Sequence, residues 1–329
     1  MRKKTAGLIL AGLFAAALFI GGCGGNKQSS ANADREARVV HVGYYGGTCE
    51  APIYVAHEQG VFKKNGLTVE LVKLTAATTK EGIATGKVDA VMMSPGGFKA
   101  MEQGLNIKLT AGIHTGCIQA VVPVDSPVRS IADLKGRTVG VDAIGGPPMI
   151  YLGMEMIRLG IDPKTEVNWQ AYPGPQLSLA MAKKEIDAFS TWDPFPQIAV
   201  NEGKARAFFS NTHSAPYADQ LCCYVGINGR VVSNEPDIAK ALTRSFAEAT
   251  KWVGEHPAEA AQISIDKKYT GGDVALNSAL LAQYRWIADP LQARASYTYF
   301  LNGMKQLQVL DAATEVDALV GHTFVVLEE

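Results

Sequence analysis

The sequence predicts an α/β protein with parallel sheets, and three observations lead there. Short β-branched runs alternate with segments of helical period, the pattern of strands joined by crossover helices. A chain of 329 residues has room for two domains at about 100–200 residues each. With 47% hydrophobic and 19% charged residues, it has the composition of a globular protein rather than of a disordered or multi-span membrane chain.

In order, strands are expected over residues 39–44, 68–74, 88–93, 107–113 and 119–124, with helices over 52–64, 79–85 and 98–103 between them. A second unit begins near Pro123: a helical turn at 131–135, a strand at 138–142 and a helix at 147–159. Prolines suit a first helical turn, where amide hydrogens lack partners. Met149, Leu152, Met156 and Leu159 form that helix's apolar seam, and Gly160 ends it. Strands at 167–172, 187–191 and 205–209 and helices at 176–184 and 193–202 follow. Residues 221–227 are extended and lead back to the first unit. The rest is helical, with Asn234 as an N-cap before Pro236 and further helices at 275–286 and 296–307.

The N-terminus speaks about location. Arg2, Lys3 and Lys4 precede an apolar run from Ala6 to Ile20, too short for a comfortable membrane span but suited to an export leader. The run ends Phe19-Ile20-Gly21-Gly22-Cys23, the cleavage pattern of a bacterial lipoprotein, so residues 1–22 are expected to be a signal peptide and Cys23 the lipid-attachment site. Residues 23–37 read as a flexible tether. The expected location is extracytoplasmic, anchored to the membrane by lipid.

Charge excludes one class of partner. The chain carries 31 basic and 32 acidic residues, and without the leader 28 against 32, or −4, which leaves no electrostatic footprint for nucleic acid. Five cysteines are too few for a disulfide scaffold.

Three segments carry a family resemblance. Ala51-Pro52-Ile53-Tyr54-Val55-Ala56 with Gly60-Val61-Phe62, Asp125-Ser126-Pro127 with Asp133-Leu134-Lys135-Gly136, and Ile186-Asp187-Ala188 with Trp192-Asp193-Pro194-Phe195 resemble the substrate-binding proteins of ABC importers, in the group that binds nitrate, sulfonates, taurine and thiamine precursors. The resemblance implies a two-lobed periplasmic-binding-protein-like fold of type II, with two crossover strands as hinge. Lobe one would take residues 38–120 and 226–329, and lobe two residues 121–225. It also implies a monomer that closes on a small ligand and passes it to permease subunits, without a cofactor and without catalysis. An enzyme of the thiamine-precursor-synthase type is the less favoured alternative, because of the leader and because Cys222-Cys223 does not reproduce that enzyme's longer cysteine motif.

On that map the cleft-facing strand ends supply the ligand-binding candidates. In lobe one they are Tyr44, Tyr45, Thr48, Cys49 and Glu50, then Ser94, Pro95 and Gly96, then His114 and Cys117. In lobe two and the second crossover they are Gly145, Gly146, Trp192, Asp193, Cys222, Cys223 and Tyr224. Tyr44 and Tyr45 alternate on a strand, so one of them faces the cleft. Gly145-Gly146 could offer amides to an anion or could simply make a turn requiring positive φ; Pro147 and Pro148 weaken the first reading, having no N–H. Trp192 could stack on a ligand or cover the core, and a lone histidine such as His114 is more often structural.

Cys49, Cys117, Cys222 and Cys223 all fall on cleft or hinge segments. Thiolates are soft ligands that select thiophilic metals, so these four are metal-ligand candidates, for a bare ion or an organometal. The alternatives are a Cys49–Cys117 disulfide, favoured by an oxidising compartment, and a regular strand that sends Cys222 and Cys223 to opposite faces. The adjacent pair at this crossover also resembles a small group of binding proteins whose cysteine or selenocysteine pairs are proposed to handle organometals. Without a thiophile, the ligand expected is a small sulfonate- or nitrate-like anion.

Overall fold

A computed structural model of the chain describes residues 38–327; the leader, Cys23 and the tether lie outside the described residues. Ten strands are present: β1 (Val39–Tyr44), β2 (Thr68–Lys73), β3 (Ala90–Met93), β4 (Ile107–Thr115), β5 (Ile118–Pro123), β6 (Thr138–Val141), β7 (Asn168–Ala171), β8 (Ala188–Trp192), β9 (Ala205–Ser210) and β10 (Leu221–Asn228). They make two five-stranded sheets, ordered β2-β1-β3-β10-β4 and β7-β6-β8-β5-β9. Each sheet is mixed rather than wholly parallel: β10 runs antiparallel to β3 and β4, and β5 antiparallel to β8 and β9. The antiparallel strands are those bordering the two crossings between sheets. The chain leaves the first sheet at Gly116-Cys117 and returns between Ser210 and Leu221.

Helix boundaries follow local chemistry. The helix expected over 52–64 is two, Ala51–Glu58 and Val61–Lys64, because Gly60 takes a left-handed conformation at φ 71°. The helix expected from Thr79 starts earlier, at Ala76, where the Thr75 hydroxyl accepts from Thr78 N. Asn234 is not an N-cap: it ends the helix Gly229–Asn234, and Glu235 occupies the cap before Pro236.

The helix Pro147–Arg158 departs most from its expected seam. Leu159 is exposed and Met149 half-buried, whereas Ile150, Tyr151, Leu152, Met154 and Met156 are all buried. It packs on more than one side: the Tyr151 ring meets Phe300 at 5.1 Å and Tyr217 at 5.3 Å. A helix with neighbours on two sides needs no single stripe, and only its last turn, at Ile157 and Arg158, is exposed. The helices after residue 235 lie on the first sheet and its helices, as in the Phe62–Phe246 and Phe98–Tyr297 contacts. Among the described residues no helix is long and apolar enough to cross a membrane.

Candidate thiol and imidazole site

Two irregular backbone segments bring the sulfurs together. In β10 the pairing with β4 runs Leu221 to Thr115, Cys223 to His114 and Tyr224 to Gly112, slipping on either side of Cys223. Such bulges break the two-residue alternation. Cys222 and Cys223 therefore point to one side, their sulfurs 3.5 Å apart. The second segment is the turn between β4 and β5, where Gly116 has φ 90° and Cys117 φ 81°. Asn211 holds this turn, accepting from Ile118 N at 2.7 Å and donating to Gly116 O at 3.1 Å. Cys222 Sγ donates to the same Gly116 carbonyl at 2.7 Å and lies 3.4 Å from Cys117 Sγ.

His114 completes the cluster. Its Nδ1 is 3.1 Å from Thr115 O and 3.8 Å from Cys222 Sγ, and its ring stacks near Tyr284 and Trp286. One ligand atom each from His114, Cys117, Cys222 and Cys223 lie within 4.8 Å of one another, all in buried residues. His114 Nε2 has no hydrogen-bond partner, and an orphaned buried nitrogen costs about 1–3 kcal/mol. Cys49 adjoins the set on the cavity wall, and its neighbours Cys117, Cys223 and His114 hold its thiol well below the ordinary range. Burial pushes the Cys117, Cys222 and Cys223 thiols up. All four cysteines are free, so the Cys49–Cys117 disulfide is not formed, and the opposite-face arrangement is excluded by the bulge.

A cavity of about 290 Å³ opens over the sulfurs, walled by both sheets. Of the expected residues, Tyr45, Cys49, Glu50, Ser94, Gly96, Cys117, Gly145, Gly146, Trp192, Cys222 and Cys223 line it. Tyr44 points away, edge-on to Tyr54 and Tyr269. Thr48 is turned to Asn277, Pro95 is buried in its short helix, and Tyr224 donates to Leu221 O inside the core. His114 lies behind the sulfurs, and Asp193 is spent on Tyr284 and Gln119. Glu50 accepts from the Tyr45, Gly46 and Gly47 amides and from the Tyr54 hydroxyl, so it props the loop more than it faces a ligand. Burial raises it to about 7 against those donors.

Asp142 was not anticipated. It stands at the cavity wall with a buried, unpartnered Oδ1, and burial lifts it to about 7. The available signal was its place as the last residue of the expected strand 138–142. Met92 and Met93, also on the wall, belong to an all-buried strand whose sequence does not reveal which side faces the cavity. The Gly145-Gly146 amides are not offered to a ligand: Gly145 N points to Met149 Sδ and Gly146 N to Ala143 O, and Gly145 has φ 73°. That is the turn reading.

The fold and site can be set beside known proteins. The nitrate/nitrite binding protein NrtA of a Nostoc species is 23% identical over 267 residues, 73% of this chain but only 60% of the longer relative. The 4-amino-5-hydroxymethyl-2-methylpyrimidine phosphate synthase of Aspergillus parasiticus is 25% identical over 80% of both chains. Among solved structures, the ligand-binding component of an ABC-type import system from Staphylococcus aureus, with zinc bound, superposes with TM-score 0.72 at 16% identity, over 87% of this chain and 99% of that one. At that identity the likeness speaks for the two-lobed fold alone. The motifs read along the chain fall within the stretch matched by one family profile: over residues 33–265 the sequence fits the NMT1-like family, and the protein belongs to it.

Proposed function

We propose that the protein is an extracytoplasmic, lipid-anchored receptor of an ABC importer, which captures a small thiophilic cation, bare or carrying an organic group, between its sheets. One observation carries the ligand reading: three distant segments deliver four buried, free cysteines to one cavity floor. Soft thiolates favour soft and borderline cations. The apolar wall of Met92, Met93, Pro147 and Trp192 would seat an organic substituent. A small oxyanion is poorly served here, since the glycine-turn amides are used internally and Asp142 presents an unpartnered carboxyl oxygen. The receptor class is supported by the family, the fold of importer components and the lipoprotein pattern ending at Cys23.

Titrating the reduced protein with phenylmercury acetate, beside Cys222→Ser/Cys223→Ser, tests the site. Affinity should fall by about a hundredfold or more in the double variant, since two ligand atoms are lost; equal affinity would rule out Cys222 and Cys223 as ligands. Cys23→Ser should abolish lipid labelling, and a variant still labelled refutes the anchor.

A further inference from the structure

From the dimensions of the cluster we infer that His114 is a fourth ligand beside Cys117, Cys222 and Cys223, forming a tetrahedral site of three sulfurs and one nitrogen for a bare divalent thiophilic ion of the size of zinc. The inference rests on the thiol reading above and narrows it. A tetrahedral ion with metal–sulfur bonds of about 2.3 Å separates its sulfurs by about 3.8 Å, and a nitrogen at about 2.0–2.1 Å stands about 3.6 Å from each sulfur. The sulfur pairs here are 3.4 and 3.5 Å apart, and His114 Nδ1 is 3.8 Å from Cys222 Sγ. The remaining separations lie within 4.8 Å, so an ion entering the centre needs adjustments of about an ångström or less.

The imidazole is placed for such a role. It is wholly buried and backed by Tyr284 and Trp286. Its Nδ1 is the nitrogen turned to Cys222 Sγ, so ligation exchanges the Nδ1 contact with Thr115 O for the ion and puts the ring proton on Nε2. The histidine sits behind the sulfurs and not on the cavity wall, so it approaches the ion from the protein side, and the three cysteines close over it from the cavity side. Cys49 is the competing fourth donor. Its sulfur falls outside the group whose atoms all lie within 4.8 Å. Binding replaces thiol protons by the ion, so protons are released and affinity rises with pH.

Cobalt(II) is the spectroscopic probe. The reduced protein titrated with it should develop the intense visible bands of a four-coordinate thiolate site, with one equivalent bound. His114→Gln should weaken cobalt binding at least about tenfold and shift those bands, while Cys49→Ser should leave them in place. X-ray absorption of the unaltered protein loaded with zinc requires no variant to fold, and should count three sulfurs and one nitrogen. Four sulfurs, an oxygen-rich six-coordinate shell, or bands lost in Cys49→Ser and kept in His114→Gln would each overturn the assignment. If phenylmercury still binds through Cys222 and Cys223 while cobalt gives no four-coordinate spectrum, His114 is not a ligand and the thiol reading survives. If neither probe binds, both fall.

Discussion

At the residue scale, Asp142 shows how burial without a partner is written into pH behaviour. Its carboxyl lies at about 7 in the folded protein against an ordinary 3.8, so between those values the folded state holds a proton the unfolded chain has lost. Stability associated with this group is full below the ordinary value and declines as pH rises towards the folded one. The melting temperature of the unliganded protein should therefore fall between about pH 4 and pH 7, and Asp142→Asn should flatten that fall. Calorimetry at the two pH values checks this, and an unchanged slope in the variant would show that other groups carry it. The position was within reach of the sequence, being the last residue of an expected strand. Its isolation was not, because that depends on which atoms surround it after folding.

At the element scale, the site is a product of two departures from regularity. A regular β10 would separate Cys222 and Cys223 onto opposite faces; the slips around Cys223 turn them together. The β4–β5 turn needs glycine at Gly116, where φ is 90° and an added Cβ would come within 2.7 Å of Thr212 Oγ1 and 3.1 Å of the Tyr284 ring. Gly116→Ala should destabilise the protein by about 1–3 kcal/mol, the scale of strained backbone, and should weaken soft-metal binding by moving the Gly116 carbonyl and Cys117. A urea midpoint equal to that of the parent would argue against strain at this turn. Helix ends, by contrast, followed signals visible in the chain, such as Thr75, Gly86 and Pro236.

At the scale of the whole molecule, the cavity is walled by both sheets, and the chain crosses between them twice. The two sides also meet through Tyr151–Phe300 and the Thr48 N to Asp193 O bond. A ligand gripping both walls should draw the sheets together. Small-angle scattering should show a smaller radius of gyration with a tight ligand than without, and no change would count against hinge closure. If the ligand binds only the closed folded form, the protein is stabilised by about 2.7 kcal/mol at a free concentration about one hundred times Kd. The C-terminal helices belong to the first sheet's core through Phe246 and Tyr297. Truncation before Glu235 should therefore unfold that sheet, read as loss of its cooperative melting, and not merely weaken binding.

Residue order alone gave the alternation of strands and helices through local period and turn chemistry, while the two crossings and the cleft segments carrying the cysteines came from the family resemblance of short motifs. Folding in three dimensions resolved what those signals leave open. Mixed sheets came from the strands returning across the hinge. The burial of the helix Pro147–Arg158 on two sides came from its second neighbour. Tyr45 rather than Tyr44 lines the cavity, because Tyr44 packs edge-on against Tyr54 and Tyr269. The union of Cys49, Cys117, Cys222 and Cys223 with His114 required a bulge and a left-handed cysteine. Neither has a signature in residue order, since both arise only when separate strands settle their register against one another.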